Sequence, residues 1–172
     1  PHDPFSLEDS HRKIPGIIRE EGKQAKYCPV LISQATIYPQ GRMRNILMKG
    51  IPPGQEILEL PTNKLTGAYD GIPVIIGASM ANASKLATGD ITTIRWRDVN
   101  GTFDATEIEI AGIFNTNVPT VDVSQVWMPL NEMQELTGMH DEATLIVVSE
   151  EVTEHEPIPG WVFKETRDLL SA

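Results

Sequence analysis

The sequence predicts a mixed α+β domain, and three observations carry that prediction. Strand-length runs rich in β-branched residues recur along the chain, at 30–38, 73–77, Ile91–Arg97, 102–114 and 143–149. Two short helical segments, 80–88 and 131–137, sit among them, each followed by a glycine where a left-handed helix end is favoured. The third is Asp98-Val99-Asn100-Gly101, a strong β-hairpin signal between two of the strands.

From the start, Leu7, Ile14, Ile17 and Ile18 alternate with charges across 6–24, and Pro15-Gly16 breaks the rhythm, so two short helical pieces are expected. Segment 44–49 is the antiparallel partner of 30–38 across Pro39-Gln40-Gly41. Ile51-Pro52-Pro53-Gly54 then punctuates the chain, and the stretch up to Gly71 is irregular. Segment 73–77 is a short buried strand, and Ser79 is the expected N-cap of helix 80–88, with Gly89 at its end.

The next hairpin raises a question of register. A plain two-residue loop at Asn100-Gly101 would put Ile94 and Trp96 on one face with Glu107 and Glu109, leaving Ile108 and Ile110 opposite. A bulge or a three-residue loop would realign the apolar sets, and one of these is expected. A strand at 123–128, the helix 131–137 closed by Gly138, and the strand 143–149 follow. A polar stretch, 150–160, leads to Arg167-Asp168-Leu169-Leu170, the opening of a further helix. With no initiator Met and no signal peptide, the chain reads as a piece of a longer protein.

Composition narrows the function. At 172 residues with 40% hydrophobic and 22% charged side chains, the chain can bury a core and is not of the disordered class. Twenty-four acidic against fourteen basic residues give a formal charge of −10, which repels phosphate backbones and argues against nucleic acid as a partner. A lone cysteine, Cys28, rules out an internal disulfide and a multi-thiolate metal site, and beside Tyr27 and Pro29 it reads as a packed side chain. No apolar run approaches the roughly 20 residues that cross a bilayer as a helix.

One string points to catalysis. Gly77-Ala78-Ser79-Met80-Ala81 stands between a strand and a helix, where a hydrolase nucleophile elbow would sit, and Ser79, Asp122 and His140 or His155 could supply a triad. The competing reading, that Ser79 caps a helix, is favoured, because no Gly-rich oxyanion loop precedes the strand. His2, His11, His140 and His155 lack metal-ligand spacing, and Glu150, Glu151, Glu154 and Glu156 lack the pattern of a calcium loop, so no metal or cofactor is expected. No glycine string cradles a phosphate.

What remains is of a different kind. Trp96 and Phe103 cluster with Arg95 and Arg97 at the end of the hairpin, and aromatic residues with Arg are what interface anchors favour. Trp96, Arg97, Asn100 and Phe103 are the candidate partner-binding residues. In the alternative, Trp96 packs inward and the arginines pair with Asp98, Asp104 or Glu107.

One ordered set of motifs ties these segments together: Pro73-Val74-Ile75-Ile76-Gly77, Met80-Ala81, Gly89-Asp90, the hairpin, Ala111-Gly112-Ile113-Phe114, Val121-Asp122 and Trp127-Met128-Pro129-Leu130, with Met48-Lys49-Gly50-Ile51-Pro52-Pro53 upstream. Over about 30–149 that order resembles the periplasmic core domain of MacB-like (FtsX-like) ABC transporter permeases, the group that includes the lipoprotein-releasing LolC and LolE permeases. The resemblance implies a non-catalytic domain on the periplasmic side of the inner membrane, between two transmembrane helices. It implies two packed lobes: a porter-like α/β lobe of 1–50 with 131–172, and an inserted β-rich lobe of 51–130. The implied partners are the protein's own transmembrane helices, a second permease subunit, a cytoplasmic ABC ATPase acting indirectly, and a lipoprotein, other amphiphilic cargo or periplasmic carrier. LolC-type permeases extend the hairpin into a proline-containing hook that holds the carrier. Segment 95–104 turns tightly and has no proline, which puts hook-mediated carrier binding in doubt. The other readings are a serine hydrolase using Ser79 and a free-standing soluble binding module.

Overall fold

The computed structural model describes residues 11–15, 27–115 and 124–148. Within them lie nine strands, β1 (Arg12–Lys13), β2 (Tyr27–Ile37), β3 (Arg44–Ile51), β4 (Ile72–Gly77), β5 (Ile91–Arg97), β6 (Phe103–Phe114), β7 (Gln125–Pro129), β8 (Glu142–Ala143) and β9 (Leu145–Val148). Two α-helices join them, α1 (Ala78–Ser84) and α2 (Leu130–Thr137). The fold is mixed α+β, dominated by sheet.

Strand order is β3-β7-β4-β6-β5-β2, and β2 pairs back onto β3, so six strands close on themselves as a barrel. Closure removes the unpaired edges that an open sheet would expose. Most neighbours are antiparallel, but β3–β7 and β4–β6 run parallel. β9 continues the β5 side of β2, pairing with its first residues, 27–30. The lobe boundary expected at residue 50 therefore falls within the β2–β3–β7 ladder, because β2 and β3 share the barrel with β4–β7.

Alternation along the strands divides the apolar residues into two clusters. The inward set includes Leu31, Ile37, Met48, Val74, Ile76, Ile94, Trp96, Ile108 and Ile110. Full burial of each large aliphatic side chain contributes about 1.5–3 kcal/mol. The outward set, Val30, Ile32, Ile51, Ile75 and Trp127, is covered by Ile57, Leu58, Leu60 and Leu65 from the loop after Pro52-Pro53-Gly54. One β-bulge keeps β6 in phase: Val74 faces Ile110 but Ile75 faces Gly112, so Ala111 is the extra residue and Ile113 rejoins the inward side.

The helices lie at opposite ends of the barrel. α1, after β4, gives Met80 and Ala81 to the core, and α2, after β7, gives Leu130 and Met133. At Gly50 a Cβ would come within 3.0 Å of the Met133 side chain, so glycine lets α2 pack directly on β3.

Four sequence expectations change. Gly77, not Ser79, is the N-cap of α1, and no side chain caps that helix. α1 ends at Ser84, well before Gly89, because Lys85 turns left-handed (φ 55°) and Leu86 folds back into the core. Gly89 instead pairs with β6, its N–H donating to the Ile110 carbonyl at 2.8 Å. The last strand is split at Thr144 into β8 and β9. At Arg12–Lys13 the chain is extended, not helical, since it pairs with β8; the rest of the helical reading of 6–24 lies outside the described residues, apart from 11, 14 and 15. The segment from 150 onward, with the helix expected from Arg167, also lies outside them.

Candidate functional site

The β5–β6 hairpin resolves its register with a three-residue loop, Val99-Asn100-Gly101. Ile94 faces Thr106, and Thr92 faces Ile108. Gly101 N–H donates to the Asp98 carbonyl at 2.9 Å, Asp98 N–H donates to the Thr102 carbonyl at 2.9 Å, and Gly101 takes the left-handed conformation (φ 79°) that glycine adopts without strain. Asp98 Oδ1 accepts from the amides of Asn100 and Thr102, both at 2.9 Å, which fixes the turn from inside.

The tip is also docked. Val99 N–H donates to the Thr137 carbonyl at 2.8 Å, and Trp96 Nε1–H to the Leu136 carbonyl at 2.9 Å. Both acceptors belong to the last turn of α2, whose carbonyls have no partner within the helix. Gly138, left-handed at φ 76°, ends that helix, and a Cβ there would lie 3.1 Å from Val99 Cγ1. Trp96 is only 2% exposed and belongs to the inward cluster. It holds the hairpin on α2 and presents no contact surface, which corrects its place among the candidate partner-binding residues.

Arg97, Asn100 and Phe103 are exposed, and Arg95 joins them on the outward face. Phe103 is 58% exposed, with the guanidinium carbon of Arg95 4.4 Å and that of Arg97 5.3 Å from its ring centre. The arginines are not within ion-pair distance of Asp98, Asp104 or Glu107.

A second cation–aromatic contact escaped the sequence reading. Lys49 on β3 and Trp127 on β7 are register partners, and the Lys49 ammonium lies 4.9 Å from the Trp127 ring centre. Lys49 is 9% exposed, and burial pushes its pKa down to about 8. The parallel β3–β7 pairing that creates this contact has no local signal. Cys28 is buried, and burial pushes its thiol up to about 12, so it is the packed side chain expected and not a thiolate nucleophile.

Ser79 lies in the first turn of α1, without the positive φ that would mark a strained turn. No hydrogen bond joins it to His140, and Asp122 and His155 lie outside the described residues. Among the described residues no three His, Cys, Asp or Glu side chains gather as metal ligands. The acidic group Glu150, Glu151, Glu154 and Glu156, like His2, falls outside them.

The chain matches no protein-family profile, and no curated protein matches it. Among solved structures it is similar to the extracellular domain of a noncanonic ABC-type transporter, YknZ, from Gram-positive bacteria. That likeness has 16% identity and a TM-score of 0.51, and it covers 83% of this chain and 76% of the other. At this identity it establishes a shared fold.

Proposed function

We propose that this chain is a non-catalytic extracytoplasmic domain of an ABC transporter permease. The observation that carries the reading is the fold shared with the extracellular domain of an ABC-type transporter, over most of both chains. The ordered motifs from Pro73 to Leu130 point the same way. On this reading cytoplasmic ATP hydrolysis moves transmembrane helices, and the domain transmits that motion to cargo outside the membrane by rigid-body displacement. The finer form of the proposal is a MacB-like permease on the periplasmic side of the inner membrane, paired with a second permease subunit and acting on lipoprotein or another amphiphilic substrate. Within it, the domain combines a porter-like α/β lobe with an inserted β-rich lobe. The solvent-facing hairpin residues Arg97, Asn100 and Phe103 are its proposed partner contacts.

Location is the cheapest test. Asn100→Cys in the full-length protein, in intact spheroplasts or protoplasts, is expected to react with a membrane-impermeant maleimide, while buried Cys28 stays silent. Labelling that requires disruption of the cytoplasmic membrane would refute the proposal.

A further inference from the structure

The aspartates beside the hairpin accept from backbone amides, and its arginines have no acid partner among the described residues. Asp98 Oδ1 serves the amides of Asn100 and Thr102, and Asp104 Oδ1 accepts from the amide of Ala105 at 2.8 Å. Arg97 donates from Nε to the Gly101 carbonyl at 3.1 Å, using one of its five N–H donors. Neither Arg95 nor Arg97 has a carboxylate within ion-pair distance among the described residues, although the chain carries ten excess negative charges. Both guanidinium groups instead stack over one exposed ring, Phe103.

We infer that the outward face of the β5–β6 hairpin is a docking site for an acidic, partly apolar segment of a partner protein. A carboxylate of that segment is held by Arg95 and Arg97, and an apolar side chain rests on Phe103. The inference rests on the reading of this domain as one that works by contact, and adds the chemistry of what it contacts. Guanidinium–carboxylate hydrogen bonds are short and about twice as strong as neutral ones. Stacking on Phe103 restrains both long side chains before the partner arrives, which lowers the ordering cost of binding. The docked loop beneath, tied to α2 through Val99 and Trp96, keeps the platform rigid.

Charge selects a narrow segment over a broad surface. A peptide strand laid on Phe103 meets the two guanidinium groups at contact distance, while the Asp98 and Asp104 carboxylates accept from backbone amides of the turn. An anionic bilayer or a second copy of the chain would also approach the remaining acidic surface, including Glu107 and Glu109 farther along the same ladder.

The test is an NMR titration of the full 172-residue chain with the capped peptide Leu-Glu-Leu-Glu-Leu, its Gln-for-Glu counterpart, and phosphatidylglycerol vesicles, following the Arg Nε–Hε and Phe103 ring resonances. The expected result is a response at Arg95, Arg97 and Phe103 to the acidic peptide, weakened roughly tenfold or more by the Gln peptide or by Arg95→Gln/Arg97→Gln. Amide dispersion of the double variant verifies that it remains folded. No binding, an equal response to the Gln peptide, a response to vesicles alone, or self-association through the same resonances would each overturn the inference. The titration does not depend on compartment and the maleimide experiment does not depend on the arginines, so the two ideas fail separately.

Discussion

Two cation–aromatic contacts, made from similar chemistry, sit in opposite surroundings. Lys49 over Trp127 is buried on the outward side of the β3–β7 ladder, whereas Arg95 and Arg97 over Phe103 stand in solvent at the hairpin. Burial turns the first into part of the packing, with a charge that costs free energy to keep there. Exposure leaves the second with little to contribute to stability and with donors unspent. On the proposed reading the first pair serves structure and the second contact, and substitutions can separate those roles.

The largest effect belongs to the buried ring. Trp127→Ala should destabilise the fold by about 3–5 kcal/mol, since it removes a side chain packed among Ile32, Ile51 and Ile75 and leaves a cavity. Chemical denaturation of the two proteins measures this directly. A loss under about 1 kcal/mol, the ordinary effect of a surface substitution or little more, would show that the outer cluster is not a second core.

Lys49 has the next effect, and its sign is set by pH. The ring's attraction for a desolvated ammonium is worth about 2 kcal/mol, while taking the charge out of water costs several. Desolvation prevails, and the pKa falls from the ordinary 10.5 to about 8. Below pH 8 folded and unfolded chains are both charged at Lys49, and the folded state bears the whole penalty. Between pH 8 and 10.5 the folded protein releases a proton that the unfolded chain retains, so stability rises with pH. Lys49→Met abolishes that rise. Its advantage over the parent should shrink by about 3 kcal/mol across this window. Cys28 acts in the opposite sense between pH 9 and about 12, because its folded pKa is raised, so both proteins should carry Cys28→Ala. Parallel stability curves for the two would contradict a lowered Lys49 pKa.

The sequence was most informative where structure is local. The apolar alternation of β5 and β6 required a realigned register, and the three-residue loop at Val99-Asn100-Gly101 supplies it. Gly138 marked the end of α2 because a left-handed residue is needed there. Barrel closure was not legible: β3 meets β7 across more than seventy residues, and the pairing of Arg12–Lys13 depends on β8. The cap of α1 was missed by two residues, since Gly77 satisfies its backbone geometry without a side-chain oxygen. Of the hairpin residues, Trp96 was misplaced because alternation puts it inside with Ile94, and its N–H finds the Leu136 carbonyl forty residues away. Arg95 has the same parity as Arg97, and it is this shared parity that brings both onto Phe103.

The smallest effect is the one that separates the two contacts most cleanly. Phe103→Ala should change folding stability by no more than about 0.5 kcal/mol, because the ring is mostly solvated and its stacking partners can return to water. Exposed cation–π contacts contribute about 0.5–1 kcal/mol, and a part of that is recovered when the arginines are rehydrated. Loss of the ring should instead free the guanidinium groups, seen as faster Nε–Hε exchange and relaxation at Arg95 and Arg97 with the backbone amides of β5 unchanged. A stability loss approaching that of Trp127→Ala would place Phe103 in the packing, and the hairpin would then have no separate role in contact.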